Sequence, residues 1–288
     1  LNLLSKYKAT PPKVKNIVNP VNTTALLQYT GGTTGVPKGA MLTHFSMLSN
    51  VKHMSTWMDL QEGKHVGITA FPFFHQAGWA LSILSVAMAG TQIMLPNPRD
   101  MRTMFQLLRE FKPDITANVP TLYQMIAQNP EAKKEDFNSL KICVSGAAPF
   151  PPEAIKDFEK RTGATVLEVY GMTEACPIVT MNPRYGKRKI GSVGMPMPDT
   201  DVRLVDLETG AKIMPKGESG EIVVRGPQIM KGYWNKPDET AQALREGWFH
   251  TGDVGKMDED GYFYVVDRTK DMINVSGFKV YPREVDDL

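Results

Sequence analysis

The sequence predicts an α/β protein: a layered sheet with helices packed on it, followed by a small distorted β-barrel. Two observations carry this. Up to about residue 185, short apolar runs alternate with segments of roughly 3.6-residue apolar spacing, the strand–helix–strand rhythm of a layered sheet. From Gly191 to Asp267 the runs turn short and alternating, bounded by Gly, Pro and Asp, as in antiparallel strands joined by tight turns. The expected divisions are residues 1–188, 189–266 and a short last stretch, 267–288.

The elements follow in order. Residues 1–20 are polar and Pro-punctuated. Thr24 to Thr30 reads as a buried strand entering a Gly/Thr-rich loop. Thr43 is placed to cap a helix reaching about Met58, with Phe45, Leu48, Val51 and Met54 or Ser55 as its apolar face. Gly78 to Gly90 is the most apolar stretch and reads as a buried helix. Arg102–Phe111 and Thr121–Gln128 are further helices, with a strand over Asp114–Val119 between them. Lys141–Ser145 is a short buried strand. Pro151 and Pro152 then open a helix that Gly163 closes, because Pro suits a first turn and Gly a left-handed exit. Thr165–Tyr170 is the next strand. Beyond it, strands are expected at Asp201–Asp206, Gly220–Arg225 and Gly261–Val266, with turns at Glu208–Gly210 and Asp258–Gly261 and one helix at Pro237–Leu244.

Composition narrows the class. The 288 residues are 42% hydrophobic and 22% charged with a net charge of +2, ordinary for a globular chain with a sizeable core. That balance gives no reason to invoke nucleic acid. No run approaches the ~18 apolar residues of a membrane helix, and the start of the chain lacks a signal-peptide pattern. Two cysteines, Cys143 and Cys176, exclude a disulfide framework and fit a reducing compartment, so a cytoplasmic location is expected. With no His or Asp set beside them they read as structural thiols. Lys187, Arg188 and Lys189 read as a solvated loop. The 17 methionines suit an adaptable apolar pocket, but composition bias explains them equally.

The strongest local signal is Tyr29-Thr-Gly-Gly-Thr-Thr-Gly-Val-Pro-Lys-Gly39. Gly31, Gly32 and Gly35 free the backbone to curl, and its N–H groups with the hydroxyls of Thr30, Thr33 and Thr34 can wrap phosphate oxygens. Lys38 adds a cation. It is not a Walker A loop: the glycine spacing differs, no Ser or Thr follows Lys38, and Pro37 opposes a helix start. A Gly/Thr-rich stretch alone reads as a surface turn; the strand before it and the Lys after it favour phosphate.

Five further segments follow. They are Phe71-Pro-Phe-Phe-His-Gln-Ala-Gly78, Ser145-Gly-Ala-Ala-Pro149, Tyr170-Gly-Met-Thr-Glu174, Thr251-Gly-Asp253, and Asp267–Ile273 with Gly277–Glu284. With the first, they resemble the ordered motifs of the adenylate-forming superfamily, which includes acyl- and aryl-CoA synthetases, and in type they are similar to its acyl-CoA ligases. The match runs over nearly the whole chain. Nonribosomal-peptide adenylation domains carry a different hinge text and an Asp-rich pocket, which the chain lacks.

The resemblance implies an enzyme that joins a carboxylic acid to ATP as acyl-AMP, releases pyrophosphate, and passes the acyl group to CoA. It implies ATP and Mg²⁺ as cofactors and CoA as co-substrate. Thr30, Thr33, Thr34 and Lys38 would hold the β- and γ-phosphates, Thr173 the α-phosphate, and Glu174 the Mg²⁺, a hard cation content with one or two carboxylates. Tyr170 would stack adenine, with the small residues Gly146, Ala147 and Ala148 letting backbone approach. Gly171 and Met172 would continue that wall, Asp253 would accept from both ribose hydroxyls, and Arg268 would touch ribose or phosphate. His75 would stand between the acyl and CoA tunnels, and Trp79, with Gly146 and Gly171, would line the acyl site. Singly, Tyr170 reads as core, Asp253 as a turn residue, Glu174 as a solvated or capping acid and His75 as a satisfied residue among aromatics. Only the joint pattern reverses this.

The aromatic stretch from Phe71 to Trp79 favours a medium- or long-chain fatty acid, with an aromatic acid second and a non-catalytic nucleotide-binding module as the alternative class. A homodimer is left open. Family members run about 150 residues before the phosphate loop and about 100 beyond the hinge, each within ordinary domain sizes. The resemblance therefore implies that most of an N-terminal subdomain, and a C-terminal domain with the adenylation lysine, lie outside this chain, and that the isolated piece is impaired.

Overall fold

Short apolar strands that leave no polar face must be covered on both sides, and the chain meets that need with a three-layer sandwich. The computed structural model describes the backbone of residues 18–30, 37–268, 273–275 and 278–280. Gly31, Gly32, Thr33, Thr34 and Gly35, the Arg268 side chain and the hinge residues 269–272 lie outside the described residues.

A hairpin comes first: β1 (Thr24–Thr30) and β2 (Lys38–Thr43) pair antiparallel, with Thr30 directly opposite Lys38. The strand read as buried is half-exposed. Its residues alternate, leaving Leu27 and Tyr29 open, because only β2 flanks it. Helix α1 (His44–Trp57) starts where expected: Thr43 Oγ1 accepts from the Ser46 amide at 3.0 Å. Its buried stripe, however, runs through Met47, Val51, Met54 and, just past its end, Met58, while Phe45 and Leu48 face outward. The apolar residues of this segment allow two stripes. Asn50, fully buried, fixes which one turns inward, donating to the Ile178 carbonyl and accepting from the Ile178 amide.

The main sheet holds β3 (Val66–Thr69), β4 (Thr91–Met94), β5 (Ile115–Asn118), β6 (Ile142–Ser145) and β7 (Val166–Gly171), parallel in the order β4-β3-β5-β6-β7. Antiparallel β8 (Ile178–Met181) and β9 (Met195–Pro196) extend it beyond β7. Neighbouring residues in a strand point to opposite faces. On one face α3 (Met101–Phe111), α4 (Pro120–Gln128) and α5 (Pro152–Thr162) bury Phe105, Tyr123, Phe137 and Phe158 with Cys143 and Val166. On the other, α1 and α2 (Gln76–Ala87) bury Val51, Met54, Ala80 and Leu84 against Ile115, Ala117, Ile142 and Val144. Each fully buried aromatic of the first face contributes about 1.5–3 kcal/mol by leaving water. The helix α2, read as buried, is an outer layer, with Val86 82% exposed.

The second half is an antiparallel sheet. Strands β10 (Asp201–Val205), β11 (Gly220–Arg225), β13 (Trp248–Met257) and β12 (Leu244–Arg245) lie in that order, and β14 (Phe263–Arg268) pairs with β13. Asp258–Gly261 is the turn between β13 and β14, with Gly261 at φ +84°. Helix α6 (Pro237–Ala243) precedes β12, and β15 (Ile273–Val275) pairs with β16 (Phe278–Val280). The loop read as solvated is tied down: Arg188 grips Glu159 and the Val166 carbonyl, and Lys189 bonds Asp258 in the β13–β14 turn. No helix among the described residues is long and apolar enough to cross a membrane.

Candidate active site

In a parallel sheet the side chains of the loops that leave the strand C-termini converge, and ligands bind there. Beyond the C-terminal ends of β5, β6 and β7 lies a cavity of about 520 Å³, closed from the other side by β2, Tyr233 and β13.

The cavity has two chemically distinct ends. Lys38, Thr173, Glu174, Thr251 and Asp253 line one; Met54, Phe71, Ala80, Leu81, Val144 and Ile178 line the other. Gly146, Ala147, Gly171 and Met172 also line the cavity. Thr30 and Lys38 sit at the mouth of the Gly/Thr-rich loop, held together by their pairing. The Lys38 ammonium lies 5.1 Å from the centre of the Tyr233 ring, close enough for a cation–π contact.

The strand-to-turn text Tyr170-Gly-Met-Thr-Glu174 builds the polar end. After β7 the chain folds into a single 3₁₀ turn, Thr173–Ala175, followed by Cys176 in a left-handed conformation and a cis Cys176–Pro177 bond. Gly171 is demanded by this fold-back, because a Cβ there would stand 2.0 Å from the Pro177 carbonyl oxygen. The Glu174 carbonyl accepts from the Met230 amide at 2.8 Å, which anchors the turn to the second half of the chain. Its side-chain Oε1 accepts from the Tyr233 hydroxyl at 2.8 Å. Burial, with the Glu174 charge beside it, pushes the Tyr233 phenol well up, so it stays a donor at neutral pH.

Asp253 owes its position to a bulge. Val223 pairs with His250 and Glu221 with Val254, so four residue steps on β13 span two on β11. A bulge strands backbone groups and re-aims side chains. Thr251 Oγ1 donates to the Ile222 carbonyl and accepts from the Asp253 amide, while the Gly252 amide goes to Glu221 Oε1. The Tyr170 hydroxyl donates to Asp253 Oδ2 at 2.6 Å. Tyr170 itself is packed with Val179, Leu204 and Ile222, and its ring is not part of the cavity wall. Arg268 stands opposite Asp253 in the β13–β14 register.

His75 caps α2, its Nδ1 accepting from the Ala77 amide at 3.2 Å and its ring stacked on Phe71 with centroids 5.8 Å apart. Desolvation lowers its pKa from 6.5. It lines the same cavity. Trp79 and Ala148 do not line the cavity. Thus Thr30, Lys38, Gly146, Ala147, Gly171, Met172, Thr173, Glu174, His75 and Asp253 share one cavity, whereas Trp79, Ala148 and the Tyr170 ring stand outside its wall. Sequence reasoning missed Tyr233 and Glu221. Both act across more than 25 residues of sequence, and no local pattern announces them.

The donor set suits a magnesium nucleotide. Lys38 supplies positive charge, and the close wall at Gly146 is filled by Val169, 2.6 Å from where a Cβ would sit. Among the described residues no group of three His, Cys, Asp or Glu forms a cage of its own. Mg²⁺ does not need one, since it binds through one or two carboxylates together with phosphates and water.

This is the layout of an α/β domain with its ligand cleft at the strand ends. The chain belongs to the AMP-binding enzyme family, whose model matches residues 3–234. It is 45% identical over 272 residues to a long-chain-fatty-acid–CoA ligase of Bacillus subtilis, covering 94% of this chain and 48% of that protein. It is 41% identical to a feruloyl-CoA synthase of Amycolatopsis, over 91% of this chain and 52% of the relative. Among solved structures, ATP-bound MatB from Rhodopseudomonas palustris superposes with a TM-score of 0.86 at 36% identity, covering 93% of this chain and 52% of MatB. The chain spans about half the length of the curated relatives it matches.

Proposed function

We propose that the protein to which this chain belongs is an AMP-forming acid–CoA ligase acting on a medium- or long-chain fatty acid. The observation that carries the reading is the two-ended cavity: a cation, threonine hydroxyls and the carboxylates of Glu174 and Asp253 at one end, an apolar cluster at the other.

A carboxylate is a poor electrophile, so one of its oxygens must first become part of a leaving group. Its oxygen attacks the α-phosphorus of ATP, the bond to the bridging oxygen breaks, and pyrophosphate leaves. The CoA sulfur then attacks the acyl carbon and AMP departs. The first step brings anions together, so charge neutralisation and in-line placement dominate its barrier. Lys38 with Thr30 and the loop Gly31–Gly35 hold the β- and γ-phosphates, and Thr173 the α-phosphate. Glu174 would hold Mg²⁺, which when bound would offset the phosphate charge. Asp253 accepts from the ribose hydroxyls, and Gly146, Ala147, Gly171 and Met172 flank adenine. The acyl chain lies along Phe71, Ala80, Leu81 and Ile178, with His75 at the junction toward CoA.

The B. subtilis relative's name supports the fatty acid. The feruloyl-CoA synthase supports a second reading, an aromatic acid in the same cavity. ATP–pyrophosphate exchange on the intact protein, with a panel of fatty and aromatic acids, with and without a Mg²⁺ chelator, decides. Exchange driven by fatty acids and abolished by chelator is expected. Exchange with aromatic acids only would replace the substrate. ATP binding with no exchange for any acid would leave a nucleotide-binding module.

A further inference from the structure

Glu221 is an acidic residue near the start of β11, 9% exposed, on the edge that faces the bulge. Burying a carboxylate is costly unless its oxygens find donors or opposite charge. Oε1 accepts from the Gly252 amide at 3.0 Å. Oε2 lies 2.9 Å from His250 Nδ1 and 3.7 Å from Arg245 Nη2. His250, the residue on β13 that closes the bulge, is itself contacted by Arg245 through the same nitrogen at 2.6 Å. The three side chains form one cluster that lines the main cavity, with Glu221 at its buried end and Arg245 exposed.

The amide Glu221 captures belongs to the residue just before Asp253. Gly252 sits at φ +74°, left-handed, and its N–H has left the β-ladder because of the two extra residues on β13. If nothing accepted that N–H, the bulge would relax toward regular pairing. A one-residue slip turns a side chain to the opposite face of a sheet, which would carry the Asp253 carboxylate away from Tyr170 and the cavity.

We propose that Glu221 is a positioning residue for nucleotide recognition: by holding the Gly252 amide, it keeps the Thr251–Asp253 bulge in the shape that presents the Asp253 carboxylate to the two ribose hydroxyls. His250 and Arg245 orient Glu221 for that task. The inference rests on the ribose role proposed for Asp253.

The test separates the two. Binding of ATP and of 2′,3′-dideoxy-ATP, which lacks both hydroxyls, is measured by competition on the intact protein, for the wild type, Asp253→Ala, Glu221→Ala and Glu221→Gln. The wild type is expected to favour ATP by about tenfold or more, the value of hydrogen bonds to a charged group. Asp253→Ala should erase that preference. Glu221→Ala should erase most of it while barely weakening dideoxy-ATP, and Glu221→Gln, whose amide oxygen still accepts from Gly252, should restore much of it. A purely structural role for Glu221 would weaken both nucleotides alike and leave their ratio intact, which would overturn the proposal. An unchanged ratio in Asp253→Ala would overturn the ribose role itself. Should Glu221→Ala not fold, Glu221→Leu, which fills the site but offers no acceptor, and Arg245→Ala carry the same comparison, and a wild-type ratio in both would equally overturn it.

Discussion

The Tyr233 hydroxyl donates to Oε1 of Glu174 at 2.8 Å, joining two residues 59 positions apart. The same tyrosine lies beneath the Lys38 ammonium, so one buried phenol touches both a cation and an anion of the polar end. Its hydrogen bond fixes the Glu174 rotamer and leaves the carboxylate's other oxygen for a ligand. Tyr233→Phe removes that restraint and little else. The half-saturating Mg²⁺ concentration for pyrophosphate exchange should rise about tenfold, the value of one hydrogen bond to a charged group. An unchanged Mg²⁺ titration would separate Glu174 from the metal.

Tyr170 bears on Asp253 in the same manner. Its hydroxyl donates to Oδ2 at 2.6 Å while its ring is held among Val179, Leu204 and Ile222. Tyr170→Phe keeps the packing and drops the donor. The KM for ATP should rise roughly three- to tenfold with kcat little altered, the signature of lost uniform binding. A large fall in kcat at constant KM would mean that the hydroxyl serves the chemical step instead.

Gly171 tests the fold-back directly. A Cβ there would meet the Pro177 carbonyl oxygen at 2.0 Å and its carbon at 2.8 Å, both backbone atoms that cannot rotate aside. Gly171→Ala should cost about 3 kcal/mol or more in urea unfolding, at the upper end of overpacking penalties. Gly67, on β3, offers the control. Its nearest neighbour would stand 3.9 Å from an added Cβ. Gly67→Ala should be neutral or stabilising by about 0.5 kcal/mol. Equal midpoints for the two variants would contradict this account.

Much of the fold was legible because its signals are local. Thr43 capping α1, the prolines before α5 and Gly163 after it are one-residue statements about backbone geometry, and the structure meets each one. What stayed hidden depends on distant partners. The outward face of α1 is set by Asn50 bonding Ile178, 128 residues away. Arg188 and Lys189 look like a solvated run until Glu159 and Asp258 are brought beside them. The candidate site follows the same rule: the motif residues lining the cavity were named from the sequence, but the groups that hold them, Tyr233 and Glu221, come from elsewhere in the chain.

The two thiols should be inert in the folded protein. Cys176 is 1% exposed, donates to Ser46 Oγ at 3.4 Å, and burial pushes its pKa up to about 12. Cys143, fully buried in the sheet, is pushed up further. Since the thiolate is the reactive form, an aromatic disulfide reagent should titrate neither cysteine at neutral pH and both in urea. Rapid labelling of the native chain would show that one of them opens to solvent.

Stability should fall on mild acidification, with His53 as a cause. His53 lies on the buried side of α1, 4% exposed, and its Nδ1 has no hydrogen-bond partner among the described residues. Desolvation lowers its pKa from 6.5, and the Asp199 charge only partly offsets this. The depressed value means the folded state holds the neutral ring while the unfolded chain still takes up a proton. Between the folded and unfolded pKa values the unfolded state therefore binds more protons, and stability rises with pH. The contribution is fully present above the unfolded value of 6.5 and is lost as pH falls through it toward the lower folded pKa. His75, also depressed by desolvation, acts with the same sign. Urea midpoints measured at about pH 7.5 and about pH 5.5, on either side of a free histidine's range, should drop for the wild type. His53→Leu keeps an apolar group at the site and removes the proton, so the drop should shrink to the share of His75 and the carboxylates. A variant whose midpoint falls as steeply as the wild type's would acquit His53 and place the acid sensitivity in the surface ion pairs.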